Sequence, residues 1–145
     1  MTPAKLDPTL LATAVGSMPH TDALEANSLI RTYLPDIPAW AQLPKRSFLE
    51  SMYVQFTQGL PGLKTEGERV FVDTTQDMDK ALTNLLQDFE TKAIEKYPIA
   101  RDYAFGLHAF LTGRLREAWA VKGHITGPIS CGLTITDQNR RPILY

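Results

Sequence analysis

Apolar residues along this chain recur at two spacings, and the alternation of the two predicts the order of elements. Leu10 to Val15 is a short, β-compatible apolar run that reads as a buried strand, and Gly16-Ser17-Met18-Pro19 reads as the loop that follows it. Thr21 suits the N-cap of a helix beginning at Asp22, with Leu24, Ser28 or Ile30, and Tyr33 at helical spacing until Pro35 and Pro38 stop it. Ala39 to Leu43 predicts a second strand, ended by Pro44. Ser47-Phe48-Leu49-Glu50 has the form of a capping box and predicts a helix to about Gln58, with Gly59 as its stop. Leu63-Lys64-Thr65 and Arg69-Val70-Phe71-Val72 flank Glu66-Gly67-Glu68 and predict a β-hairpin outside the main sheet.

From Asp77 the helical pattern is long. Met78, Ala81, Leu82, Leu85, Leu86, Phe89, Ala93 and Ile94 share one face, and Pro98 ends it. Tyr103, Phe105, Leu107, His108, Leu111 and Leu115 mark a further helical stretch. Ala118 to Thr126 then reads as a strand, and Pro128 suits the first turn of the next helix. Strands alternating with helices favour an α/β fold with parallel strands, whose chemistry sits in the loops after strand ends.

Composition narrows the function classes. The chain has 145 residues, 43% hydrophobic and 21% charged, with a formal net charge of -1, as for an ordinary globular domain. It has no basic stripe and no Cys/His finger pattern, which leaves nucleic-acid binding without support. No stretch approaches the length of a membrane span, and the first residues lack the pattern of a signal peptide. A single cysteine, Cys131, allows no internal disulfide and suits a reducing, cytoplasmic setting.

Three loops could carry chemistry: Gly16 to His20, Gln42 to Arg46, and Thr126 to Pro128. Gly16 and Ser17 offer close backbone approach plus a hydroxyl, useful for holding a carboxylate or amino group, and a tight turn with a local serine bond explains them equally. Lys45 and Arg46 suit an anion or simple solvation. Thr126, Gly127 and Pro128 suit a pocket wall or plain strand-to-helix punctuation. His124 shares a strand face with Lys122 and Thr126, which suits either a polar barrel lumen or a structural role, whereas His108 reads as structural and His20 as a loop surface residue. Three scattered histidines and one cysteine do not make a zinc site, and Cys131 reads as an inert thiol.

Three segments taken together go further. Ala14-Val15-Gly16-Ser17-Met18-Pro19-His20 resembles the first-strand signature of the methionine synthase and uroporphyrinogen decarboxylase superfamily. Gln42 to Glu50, with Met52 to Phe56, is similar to its short bacterial and archaeal branch. Val121-Lys122-Gly123-His124-Ile125-Thr126-Gly127-Pro128 resembles the strand-to-loop motif of cobalamin-independent methionine synthase.

The resemblance implies a (β/α)8 TIM-type barrel, of which residues 1–145 would be about the first half, with the hairpin added. It implies a parent enzyme that transfers a methyl group to the thiol of homocysteine, activated as a thiolate on zinc. Gly16 and Ser17 fall where the family holds the amino acid's polar groups, and Thr126, Gly127 and Pro128 fall on the wall of the same cavity. The family's zinc ligands, a histidine, two cysteines and a glutamate, lie in the later half of the barrel. This chain by itself is therefore expected to hold no zinc and to be inactive. The folate-using enzymes carry a tryptophan shortly after Thr-Gly-Pro, whereas Cys131-Gly132-Leu133-Thr134-Ile135-Thr136 has no aromatic. That turns the expected donor toward a methylated corrinoid or corrinoid protein, with a methyl-folate as the other choice. The alternatives are a corrinoid-dependent methyltransferase for another thiol, a tetrapyrrole decarboxylase, and a non-catalytic half-barrel that assembles with copies of itself to cover its open sheet edges.

Overall fold

The computed structural model describes residues 10–113 and 118–144. Helix α1 spans Ala23–Tyr33, and Asp22 rather than Thr21 caps it, its carboxylate accepting the Leu24 and Glu25 N–H groups at 2.8 Å each. The buried face is Ala23, Ala26, Asn27 and Ile30, whereas Leu24 and Tyr33 point outward. Small side chains on the inner face let this helix come close to its neighbours. A 3-10 turn at Phe48–Glu50 is followed by strands β1 (Leu63–Glu66) and β2 (Arg69–Val72) and by helix α2 (Met78–Glu90). Helices α3 (Phe105–Leu111) and α4 (Pro128–Thr134) and the short strand β3 (Thr136–Asp137) complete the order.

The expected half-barrel is not what the chain forms. It is a small mixed α/β fold whose described residues hold four α-helices and one three-stranded sheet, β1-β2-β3. The hairpin, expected as an addition to a larger sheet, is itself the body of that sheet. β1 runs antiparallel to β2, from Leu63 opposite Val72 to Glu66 opposite Arg69, and β3 joins β2 in parallel at Phe71–Thr136 and Val72–Asp137. The runs expected as barrel strands meet only at isolated parallel bridges, Ser17 with Gln42 and Ala39 with Lys122. The physical reason lies in their faces. Val15, Trp119, Val121 and Ile125 are exposed, so no second layer packs over them to make a continuous ladder worth forming. Only the middle run, Ala39 to Leu43, is buried throughout.

That middle run is fixed by side chains. Asn27 on α1 accepts the Ala41 N–H (3.0 Å) and donates to the Gly106 carbonyl (2.9 Å), tying α1, the 39–43 run and α3 together. Gly106 lies so close that a Cβ there would stand 1.9 Å from the Ala41 carbonyl oxygen. Its N–H donates to Glu50 (3.2 Å), and Arg46 donates to the other Glu50 oxygen (3.2 Å). This explains why the expected capping box closes only halfway. Ser47 accepts the Leu49 N–H, but Glu50 is drawn inward instead of reaching back, and Ser51 turns to extended backbone (ψ 141°). Residues beyond it continue as turns, not as the expected helix.

Helix α2 follows the predicted periodicity but buries none of its residues, and Leu86 and Phe89 are 63% and 82% exposed. It stops before Pro98 because Lys92 adopts a left-handed conformation (φ +56°), from which the helix cannot continue. Leu115, which the apolar spacing adds to α3, lies outside the described residues. Among the described residues no helix is long and apolar enough to cross a membrane.

Two substitutions probe the clamp. Gly106→Ala must push α3 off the Ala41 backbone and should cost about 3 kcal/mol or more. Asn27→Leu leaves a buried N–H and a buried carbonyl unpaired and should cost roughly 2–4 kcal/mol. Urea denaturation followed by circular dichroism measures both, and midpoints within error of the parent protein would refute the clamp.

Candidate functional site

Of the three loops singled out in the sequence, those beginning at Gln42 and Thr126 contribute residues to the lining of one cleft, and Gly16 packs on the His124 ring that lines it. Gly16 is buried with φ +128°, its carbonyl accepts the Gln42 N–H (2.8 Å), and the Met18 N–H donates to Gln42 (2.9 Å). A Cβ at Gly16 would stand 2.7 Å from Cε1 of His124. Only glycine satisfies both the conformation and the approach. Thr126 and Gly127 line the cleft, with Val15, Gln42, Tyr53, Lys122 and His124, around a volume of about 270 Å³. The Thr126 hydroxyl donates to the Met52 carbonyl, and Gly127 is the N-cap of α4. Gly16, Ser17 and Pro128 are not on the lining: Gly16 lies behind it on the His124 ring, the Ser17 hydroxyl donates to Gln42 Oε1 (3.1 Å), and Pro128 is the exposed first residue of α4.

His124 is the residue that reading the histidines one by one passes over. Its ring stacks on Trp40 at 3.8 Å between centroids and meets Phe56 edge-on at 6.5 Å. Both ring nitrogens are buried, and neither has a hydrogen-bond partner among the described residues. Burial, reinforced by the Lys122 ammonium, pushes the imidazole below the usual histidine range. Lys122 donates its backbone N–H to Pro38 (3.0 Å) and its ammonium to the Ala14 carbonyl (2.6 Å). The exposure of 121–126 alternates, with Lys122, His124 and Thr126 turned inward and Val121, Gly123 and Ile125 outward. The period-two pattern thus survives in a segment that forms no ladder. The face that the sequence assigns to Lys122, His124 and Thr126 is the face turned inward.

Behind the cleft runs a line of buried amides. Gln42 donates to Gln55 (2.7 Å), and Gln55 donates to the Tyr103 carbonyl (2.9 Å), so the side chain bordering the cleft has a fixed orientation. The remaining candidates are occupied elsewhere. Arg46 pairs with Glu50 and lies 3.8 Å over the Phe105 ring, and burial raises the Glu50 carboxyl above its ordinary range despite Gly106 and Arg46. His108 bonds the Ile99 carbonyl (2.9 Å), and burial pushes the Cys131 thiol up. Among the described residues no group of three or more His, Cys, Asp or Glu side chains could hold a metal, so the zinc that the resemblance implies does not fit them. A larger hollow around Thr74, Asp137, Arg140 and Arg141 brings none of the sequence-predicted residues together.

No family model, no curated protein and no solved structure matches this chain.

The His124 environment fixes the sign of a pH effect. A folded-state value below the usual 6.5 means that the unfolded chain binds this proton more readily. His124 therefore destabilises the fold as pH falls from its ordinary value through its depressed one, and has no such effect above that window. The difference in urea midpoint between the parent chain and His124→Asn should narrow or reverse in favour of the variant on going from about pH 7.5 to about pH 5. A difference that does not change with pH would show the ring to be freely solvated.

Proposed function

We propose that this chain binds a small amino-acid thiol, homocysteine, in the cleft between the Gly16 loop and the Lys122–Gly127 segment, as the acceptor side of a methyl-transfer reaction. The observation that carries the reading is that Gly16 packs on the His124 ring, which lines the cleft together with Thr126 and Gly127 from the other end of the sequence. Gly16, Thr126 and Gly127 are residues to which the family resemblance assigns the acceptor. The volume supports it too. About 270 Å³ is at the small end of ligand pockets and suits an amino acid better than a tetrapyrrole.

The chemistry of the lining divides in a way that fits such a ligand. Lys122, Tyr53, Thr126 and Gln42 line its polar side, while Val15, Met52 and Phe56 supply an apolar side for a sulfur-bearing chain. Zinc, bound in the parent family, would supply the thiolate. The described residues of this chain bind and orient the acceptor and hold no such metal set. A methylated corrinoid is the donor that the lack of an aromatic ring from Cys131 to Thr136 favours, and the lone cysteine favours a reducing, cytoplasmic setting.

Isothermal titration of the chain with homocysteine under reducing conditions should show saturable one-site binding, with Kd on the order of 0.1–1 mM. Gly16→Ala forces the His124 ring aside and should weaken binding at least about tenfold while circular dichroism reports a retained fold. Absence of saturable homocysteine binding, or a Gly16→Ala chain that binds unchanged, would remove the cleft from this role.

A further inference from the structure

The apolar face of α2 takes no part in the cleft, and we propose that it is where two copies of this chain join, helix against helix in antiparallel order. Leu82, Leu86 and Phe89 follow one another at spacings of four and three on one side of the helix, and Ile94 in the turn beyond it extends the patch. Leu82 and Ile94 are 43% and 81% exposed. With Leu86 and Phe89 they present roughly 500 Å² of surface, in the range of the largest apolar patch on an ordinary monomer. Beside Phe89 lies a recess of about 110 Å³, lined by Leu85, Asp88, Phe89, Ala93, Ile94 and Tyr97. Its shape is set by the Asp88 carboxylate, which accepts from the Lys96 ammonium (2.6 Å) and the Tyr97 hydroxyl (2.8 Å) and so ties the turn to the helix.

The occupant follows from how this face is arranged about its own midpoint. A two-fold axis between Leu85 and Leu86 sets Leu82 of each copy beside Phe89 and the recess of the other, and Leu86 against Leu85. The same axis brings Asp79 of each copy to Lys92 of the other. Neither of these charges has an ion-pair partner among the described residues of its own chain. A parallel pairing would instead set like charges together and align the two helix dipoles. The net charge of -1 puts little long-range repulsion between copies. Two such faces bury about 1,000 Å² in total, the lower limit for a specific interface, so the pair is a weak and reversible dimer. Its affinity comes from the apolar residues, and the exposed Asp79 and Lys92 pairs set the register.

The test is sedimentation velocity of the whole chain from about 1 µM to about 300 µM, which should show a monomer–dimer equilibrium with Kd on the order of 10–100 µM. Leu86→Lys and Phe89→Lys should each weaken dimerisation at least about tenfold. Their urea midpoints at about 1 µM should match the parent chain, because both side chains already stand in solvent in the monomer. Asp79→Lys and Lys92→Asp should each weaken dimerisation roughly threefold at low salt, and the two exchanges made together should restore it. A chain that stays monomeric at about 300 µM overturns the proposal and leaves the face to a partner other than a second copy. Dimerisation that persists in Leu86→Lys and Phe89→Lys overturns it as well, since the copies then join elsewhere. Failure of the double exchange to restore a dimer that each single exchange weakens overturns the antiparallel register.

Discussion

The close approach of α3 to the Ala39–Leu43 run is the constraint on which the rest of this fold depends. Gly106 and Ala41 meet backbone to backbone, at a distance that excludes even a methyl group, and the buried Asn27 amide satisfies one polar group on each. Neither segment could hold the other by periodic structure alone. α3 has seven residues, and the 39–43 run, enclosed by Pro38 and Pro44, makes only single bridges on each side. A buried amide that is fully used at both ends specifies position in a way that apolar contact does not, because any displacement leaves polar groups unpaired. Glu50 then takes the Gly106 N–H, so that both polar groups of this glycine are held by side chains. The raised Glu50 carboxyl records the electrostatic cost of bringing an acid into that position.

The cleft inherits its geometry from this contact one residue along the chain. Ala41 is fixed by Asn27, and its neighbour Gln42 faces the other way, accepting from Ser17 and donating to Gln55. The Gly16 carbonyl and the Met18 N–H are both paired to the Gln42 backbone, so the loop carrying Gly16 is placed by the same run that α1 and α3 hold. On its far side the run accepts the Lys122 N–H through Pro38, which sets His124 under Gly16 and against Trp40.

Parts of this were legible in the sequence, and the parts that were not share a cause. The spacing of Leu63–Val72 around Gly67, the helical pattern from Met78, and Pro128 after Gly127 are local signals, and the corresponding elements occupy those places. Gly16 and the Thr126-Gly127 pair stood out as loop residues for reasons of backbone chemistry; Thr126 and Gly127 line the cleft, and Gly16 packs on the His124 ring that lines it. The half-barrel was an expectation from the family resemblance, and the apolar runs at 10–15, 39–43 and 118–126 that were to supply its strands show only that a strand would be compatible. Whether a ladder forms depends on a covering layer, which Val15, Val121 and Ile125 lack. His124 was hidden because a histidine is weighed by its partners, and its partners here, Trp40, Phe56 and Gly16, are distant in sequence.

Helices α1 and α2 show what periodicity can and cannot specify. In α2 the large apolar residues recur at the ideal spacing, and the face they make is exposed, with Leu82, Leu86 and Phe89 in solvent. In α1 the large residues Leu24 and Tyr33 point outward, and the inner face is Ala23, Ala26, Asn27 and Ile30. A pattern weighted by hydrophobicity alone favours α2 as the core helix and places α1 with the wrong side inward. Packing selects differently, because the helix that sits closest to other backbone must carry small residues there, and the polar group it brings along must be fully bonded. Asn27 reads as a break in the apolar stripe of α1, yet it is the residue by which that stripe finds its partner. In this chain the interior is specified by shape and hydrogen bonding at a few small and polar positions, and the cleft at Gly16 and His124 is built by the same means.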